Sequence, residues 1–174
     1  MGRLYGKVGG KSKGYYIESE ISSDELKIKG TLGGKLQGHD IELNLSSELT
    51  EISGRLGRDD LEKNLKLSLH KEGPKNNIYY DIIGKLNEKA SYCDVSLEGS
   101  ITEGFSGRIG EEVGYNVELK VFKNDGKITG RLGGKIMGAN VDIDYEYFPP
   151  AIGIIIISLT YSLYLESYGR LKFK

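Results

Sequence analysis

The chain has one cysteine, two histidines, three prolines and a formal charge of only −1. Each scarcity excludes something. With Cys93 alone, no disulfide can form within the chain, which suits a reducing compartment. His39 and His70 have no second histidine or cysteine at ligand spacing, so no metal site is expected. A near-neutral chain supplies no bulk field to attract nucleic acid, and none is expected as a partner. The segment from Met1 to Gly6 lacks an apolar stretch, so a signal peptide is not expected. No Ser-His-Asp arrangement or nucleotide fingerprint is present, and no cofactor is expected.

What the chain has is repetition, punctuated by 25 glycines. Residues 28–45 read IKGTLGGKLQGHDIELNL, and residues 128–145 read ITGRLGGKIMGANVDIDY. Six copies align with first positions at Leu4, Ile28, Ile52, Ile82, Phe105 and Ile128, spaced 24, 24, 30, 23 and 23 apart. A period in this range marks a repeat of one supersecondary unit. The long spacing holds an insert from His70 to Asn77, read as an extended loop.

Each copy alternates with period two in both halves. Ile28, Gly30 and Leu32 share one face, as do Ile41, Leu43 and Leu45. Period-two alternation means half-buried strands, and the glycine-containing link at Lys35 to Gly38 makes the unit a β-hairpin. A turn centred on Leu36 and Gln37 sets Leu32 opposite Ile41 and Gly30 opposite Leu43. It also pairs Thr31 with Glu42, Lys7 with Glu18, Arg108 with Glu118 and Arg131 with Asp142. Opposite charges placed so would contribute about 0.2–1 kcal/mol per pair.

After the sixth hairpin the pattern changes. Phe148 to Leu165 is apolar nearly all round. Two further strands are one reading, favoured by Ile154 to Ile157. A membrane span is another, but the run falls short of the ~20 residues required. The favoured reading is a helix buried on every side, begun by Pro149 and Pro150 and stopped by Gly169. Gly6, Gly30, Gly54, Gly84, Gly107 and Gly130 all fall on the inner face, as if to clear room for it. The fold class expected is mainly β: a closed 12-stranded antiparallel barrel of six hairpin repeats around a buried hydrophobic C-terminal helix. Residues 1–174 form a single domain, with the helix over about 150–166 and a basic tail at 169–174.

This plan resembles the tubby C-terminal domain and its LURP-one-related and phospholipid scramblase relatives. The last hairpin, Ile128 to Tyr145, running directly into Pro149 to Leu165, carries the likeness. The likeness is architectural: no phosphoinositide motif of those families matches residue by residue, and no site is transferred. An open sheet of MORN-like hairpins has a similar period, but its aromatic-Gly-aromatic signature is absent.

Chemistry is sparse. The histidines read as exposed loop residues and Cys93 as a small filler without a neighbouring base. Asp59 with Asp60, and Glu111 with Glu112, read as solvated acids at turns. Gly33-Gly34-Lys35 and Gly133-Gly134-Lys135 lack the strand–loop–helix context of a phosphate loop. One constellation stands out. The six hairpin tips share one end of a barrel, and the helix would deliver the tail there. That end collects Lys11, Lys13, Lys35, Lys89, Lys135, Arg170, Lys172 and Lys174, with Arg58 and Lys63. Leu36, Leu61, Val113, Ile136 and Met137 add apolar tips. Asp40, Asp59, Asp60, Glu62, Glu88, Glu111 and Glu112 oppose the charge.

The function expected is a non-enzymatic binding or scaffold domain, cytoplasmic and peripheral to the membrane. Its basic tip end would meet anionic lipid headgroups or a protein partner. A self-assembling structural protein and a small-ligand carrier are the alternatives, and the sequence leaves the oligomeric state open.

Overall fold

A computed structural model describes residues 1–10, 14–33, 38–58, 62–88, 91–134, 136 and 138–167. Twelve strands precede one helix. They are β1 (Gly2–Gly9), β2 (Gly14–Ile21), β3 (Lys27–Leu32), β4 (His39–Leu45), β5 (Glu51–Leu56) and β6 (Lys63–Glu72). Then follow β7 (Tyr79–Glu88), β8 (Ser91–Ser100), β9 (Gly104–Gly110), β10 (Gly114–Phe122), β11 (Lys127–Gly133), β12 (Gly138–Glu146) and α1 (Pro150–Ser167). Every strand pairs antiparallel with its sequence neighbours, and β1 pairs with β12 to close the barrel. Closure leaves no unpaired strand edge.

The alternation read from the repeats becomes the wall. Ile17, Ile41, Leu65, Val95, Val117 and Val141 are buried at corresponding inner positions of the even strands, while their chain neighbours face outward. The helix fills the barrel. Its residues Ala151 to Leu163 are all buried, thirteen in a row, so no face of that stretch reaches water. At 1.5 Å per residue its 18 residues span about 27 Å. Pro149 accepts a hydrogen bond from the Ile152 amide, so the proline pair starts the helix as expected. Ser158, Thr160 and Ser162 would be costly in such a core. Each returns its hydroxyl to a helix carbonyl, at Ile154, Ile156 and Leu159 respectively. Among the described residues no helix is long and apolar enough to cross a membrane.

Three expectations need correction. First, the register within each hairpin is shifted by two residues. Leu32 faces His39, Gly30 faces Ile41, Lys7 faces Tyr16, and Arg108 faces Asn116. An even shift keeps every side chain on its face, so the apolar pattern holds in either register. The charge pairs survive, but between repeats: Glu42 faces Arg55, Glu118 faces Arg131, and Asp142 faces Lys7 across the closing seam.

Second, the inner glycines do not clear room for the helix. A Cβ added at Gly54 would strike the Glu42 carbonyl, and one at Gly107 the Ser96 carbonyl. Both lie on the neighbouring strand, and Gly54 holds a φ of 153°. The glycines let adjacent strands cross closely where the wall coils.

Third, the insert is not all loop. Strand β6 runs on into it as far as Glu72. His70 therefore sits on the exposed outer face of β6, against Glu72, not in a loop.

Candidate functional site at the hairpin-tip mouth

The basic rim is the first thing to locate. Lys11, Lys13, Lys35, Lys89, Lys135, Arg170, Lys172 and Lys174 lie outside the described residues. So do the apolar tips Leu36, Leu61 and Met137, and the acids Asp59 and Asp60. Of the remaining expected members, Arg58 is held by Asp40, its Nε and Nη2 at 2.9 and 2.7 Å from the carboxylate oxygens. That guanidinium keeps the Asp40 carboxyl below its usual pKa. Arg55 adds bonds to Glu42 at 2.6 Å and Glu62 at 3.4 Å. These five charged side chains, with Gly57, line a recess of about 310 Å³ that ties β4, β5 and the start of β6 together.

Lys63 is not on the rim at all. Its side chain is 0% exposed, and its Nζ lies 3.0 Å from Oε1 of Glu166 in the last turn of α1. This contact fixes the direction of the helix: its C-terminal end lies at the hairpin-tip mouth. The helix has no basic residue of its own in that turn, so Lys63 also supplies the cation that a helix C-terminus favours.

Lys63 belongs to a ring. Each even strand places one residue on the inner face just inside the mouth. They are Tyr15, His39, Lys63, Cys93, Tyr115 and Ala139. The next ring inward is uniformly aliphatic, so the copies diverge sharply in chemistry at the mouth. The ring grips the helix end. Tyr15 packs on Tyr164 with centroids 5.1 Å apart, and Tyr115 meets Tyr161 edge-on at 4.9 Å. The Tyr115 hydroxyl donates to the Ser158 carbonyl. His39 accepts the Arg58 amide on Nδ1 at 3.1 Å, which places its proton on Nε2. Burial raises the pKa of both phenols well above the ordinary value. It also pushes the Cys93 thiol up to about 11, with Asp94 and Glu166 adding to the effect. A thiol in that environment is a filler rather than a nucleophile.

The ring is thinnest at Ala139, and a recess of about 400 Å³ opens in that sector. Its inner wall is Tyr115, Tyr161 and Leu165; its rim is Arg108 and Asn116; Gly114, Gly133, Gly134 and Gly138 form the rest. Arg108 is braced by the Glu111 carbonyl at 2.9 Å and by Oδ1 of Asn116 at 2.9 Å. Arg131 is braced the same way, by the Gly134 carbonyl and Asn140. At the tips themselves, Ile136 is 96% and Val113 50% exposed.

The mouth ring is not legible in what the copies share. The available signal was the opposite one: a column on an apolar face reading Tyr, His, Lys, Cys, Tyr, Ala. Among the described residues no group of three or more His, Cys, Asp or Glu could hold a metal ion. No protein-family model, curated protein or solved structure matches this chain.

Proposed function

We propose that the chain is a non-enzymatic binding domain that docks through its hairpin-tip end on an anionic membrane surface, peripherally and from the cytoplasmic side. The observation that carries this reading is the exposure of Ile136 and Val113 on adjacent hairpins, flanked by the braced guanidiniums of Arg108 and Arg131. Apolar tips can enter the headgroup boundary while basic side chains face the lipid phosphates, each contributing about 1 kcal/mol. The eight lysines and arginines of the tips and tail would add to that field. Lys63 does not, because Glu166 neutralises it inside the barrel. Glu111 and Glu112 lie at the same end and weaken it. The helix occupies the lumen, which favours an external docking surface over a carrier that encloses its ligand. The architectural likeness to the tubby and scramblase barrels is compatible with this reading but carries none of its weight.

Co-sedimentation with phosphatidylserine-containing vesicles at low salt tests it. The chain is expected in the pellet with anionic vesicles and in the supernatant with phosphatidylcholine alone. Ile136→Asp is expected to return it to the supernatant. Absence of binding to anionic vesicles at low salt ends the membrane reading. Discrete oligomers by light scattering would favour the self-assembling alternative instead.

A further inference from the structure

We infer that the recess at the Ala139 sector of the mouth is a binding site for a small organic anion with an apolar body. The inference is independent of membrane docking.

Four features of the recess point to this class. The first is its place. Gly114 and Asn116 of β10 and Gly133 of β11 meet there at the mouth, beside the sector where the ring carries alanine rather than tyrosine, histidine, lysine or cysteine. The second is its floor. Tyr115, Tyr161 and Leu165 present two rings and an aliphatic side chain, fixed by the edge-on contact of the tyrosines and the bond from Tyr115 to Ser158. The third is its rim. Arg108 is held by the Glu111 carbonyl and Asn116, so its fork is positioned before any ligand arrives. Because Oδ1 of Asn116 accepts from Arg108, the amide group turns its NH2 away as a further donor. The fourth is the wall of four glycines, which lines that side with main chain rather than side chains.

Size and charge agree. About 400 Å³ falls in the range of ligand sites. The adjoining outer recess shares Asn116, Gly133 and Gly134 and adds Arg131 and Glu118, so among the described residues the charged groups lining the pair are two guanidiniums and one carboxylate. An apolar floor beneath a cationic rim suits a carboxylate or sulfonate on a flat or short aliphatic body. Bare phosphate would find no use for the floor, and a neutral analogue none for Arg108.

The test is a titration of the full chain with benzoate and octanoate, followed by amide and side-chain NMR. Benzamide and inorganic phosphate serve as comparators. Shifts are expected at Gly114, Asn116, Gly133, Gly138 and Leu165, saturating with either carboxylate. Arg108→Gln is expected to weaken binding by about tenfold, the loss of one charge-assisted hydrogen bond. Arg3→Gln, on the outer wall towards the opposite end of the barrel, is expected to change it by less than about twofold. The proposal is overturned if shifts scatter around the barrel, if benzamide or phosphate binds as well as benzoate, or if the two arginine variants lose affinity equally. Should Arg108→Gln fail to fold, the wild-type titration against its two comparators decides alone.

Discussion

An ammonium taken fully out of water must be matched, and Lys63 is matched by Glu166, 103 residues away in sequence. Removing one member of such a pair strands the other charge in the mouth of the barrel. Lys63→Met is therefore expected to cost about 3–5 kcal/mol, and Glu166→Leu a similar amount. The double variant, with apolar side chains of similar volume at both positions, is expected to regain most of the loss. Urea unfolding of the four proteins closes the cycle. Single variants within about 0.5 kcal/mol of wild type would show that the pair does not hold the helix end. The sequence shows Lys63 only as one more cation near a tip. Its inward direction follows from phase with Leu65 and Leu67 on β6, which is legible. Its partner is not, because nothing local to Lys63 points to the last turn of α1. The exposed pairs behave differently: Arg3 with Glu18, or Lys127 with Asp142 and Asp144, sit in solvent and contribute little each.

At the scale of the element, the strand is where the repeat does its work. Alternation fixes which residues face inward, and each copy repeats it. The inner glycine marks where one strand crosses another closely. Gly54→Ala is expected to destabilise the barrel by about 1–3 kcal/mol from the backbone conformation alone, since alanine avoids a φ of 153°. Its Cβ would also press on the Glu42 carbonyl. Thermal unfolding compared with Ser53→Ala, on the outer face of the same strand, checks this. Equal shifts in the two variants would remove the glycine's special role. Strand existence and facing were readable from the chain, but register was not. Two registers differing by two residues bury the same side chains, and the charges find partners in both. The tie is broken by which backbone groups of neighbouring strands meet, which composition does not encode.

At the scale of the molecule, the helix and the barrel are each other's core. A closed sheet of this width without a filling would expose Leu4, Ile28, Ile52, Phe105 and Ile128 to an empty lumen. The helix alone would expose apolar residues on all sides. A chain truncated after Pro149 is accordingly expected to lose cooperative unfolding and its fixed aromatic environment. Near-UV circular dichroism of the tyrosines and calorimetry would show this; a sharp transition and a retained signal in the truncated chain would mean that the barrel stands without its helix. The helix also makes the two ends unlike. Its start lies opposite the tips, its last turn lies among them, and both proposed binding surfaces occur at that second end.

By itself the sequence determined twelve strands, their inner and outer faces, and an apolar segment with no polar side to show to water. These follow from short-range periodicity, because side-chain direction along a strand or helix depends only on position in the chain. The tertiary structure alone decided the register, the facing of Glu42 with Arg55, Glu118 with Arg131 and Asp142 with Lys7 across repeats, and the joining of Lys63 to Glu166. It also decided the assembly of Tyr15, His39, Lys63, Cys93, Tyr115 and Ala139 into one ring around a helix end. Those relations depend on which backbone lies beside which after closure, and closing the sheet brings together residues whose separation along the chain carries no trace of their contact.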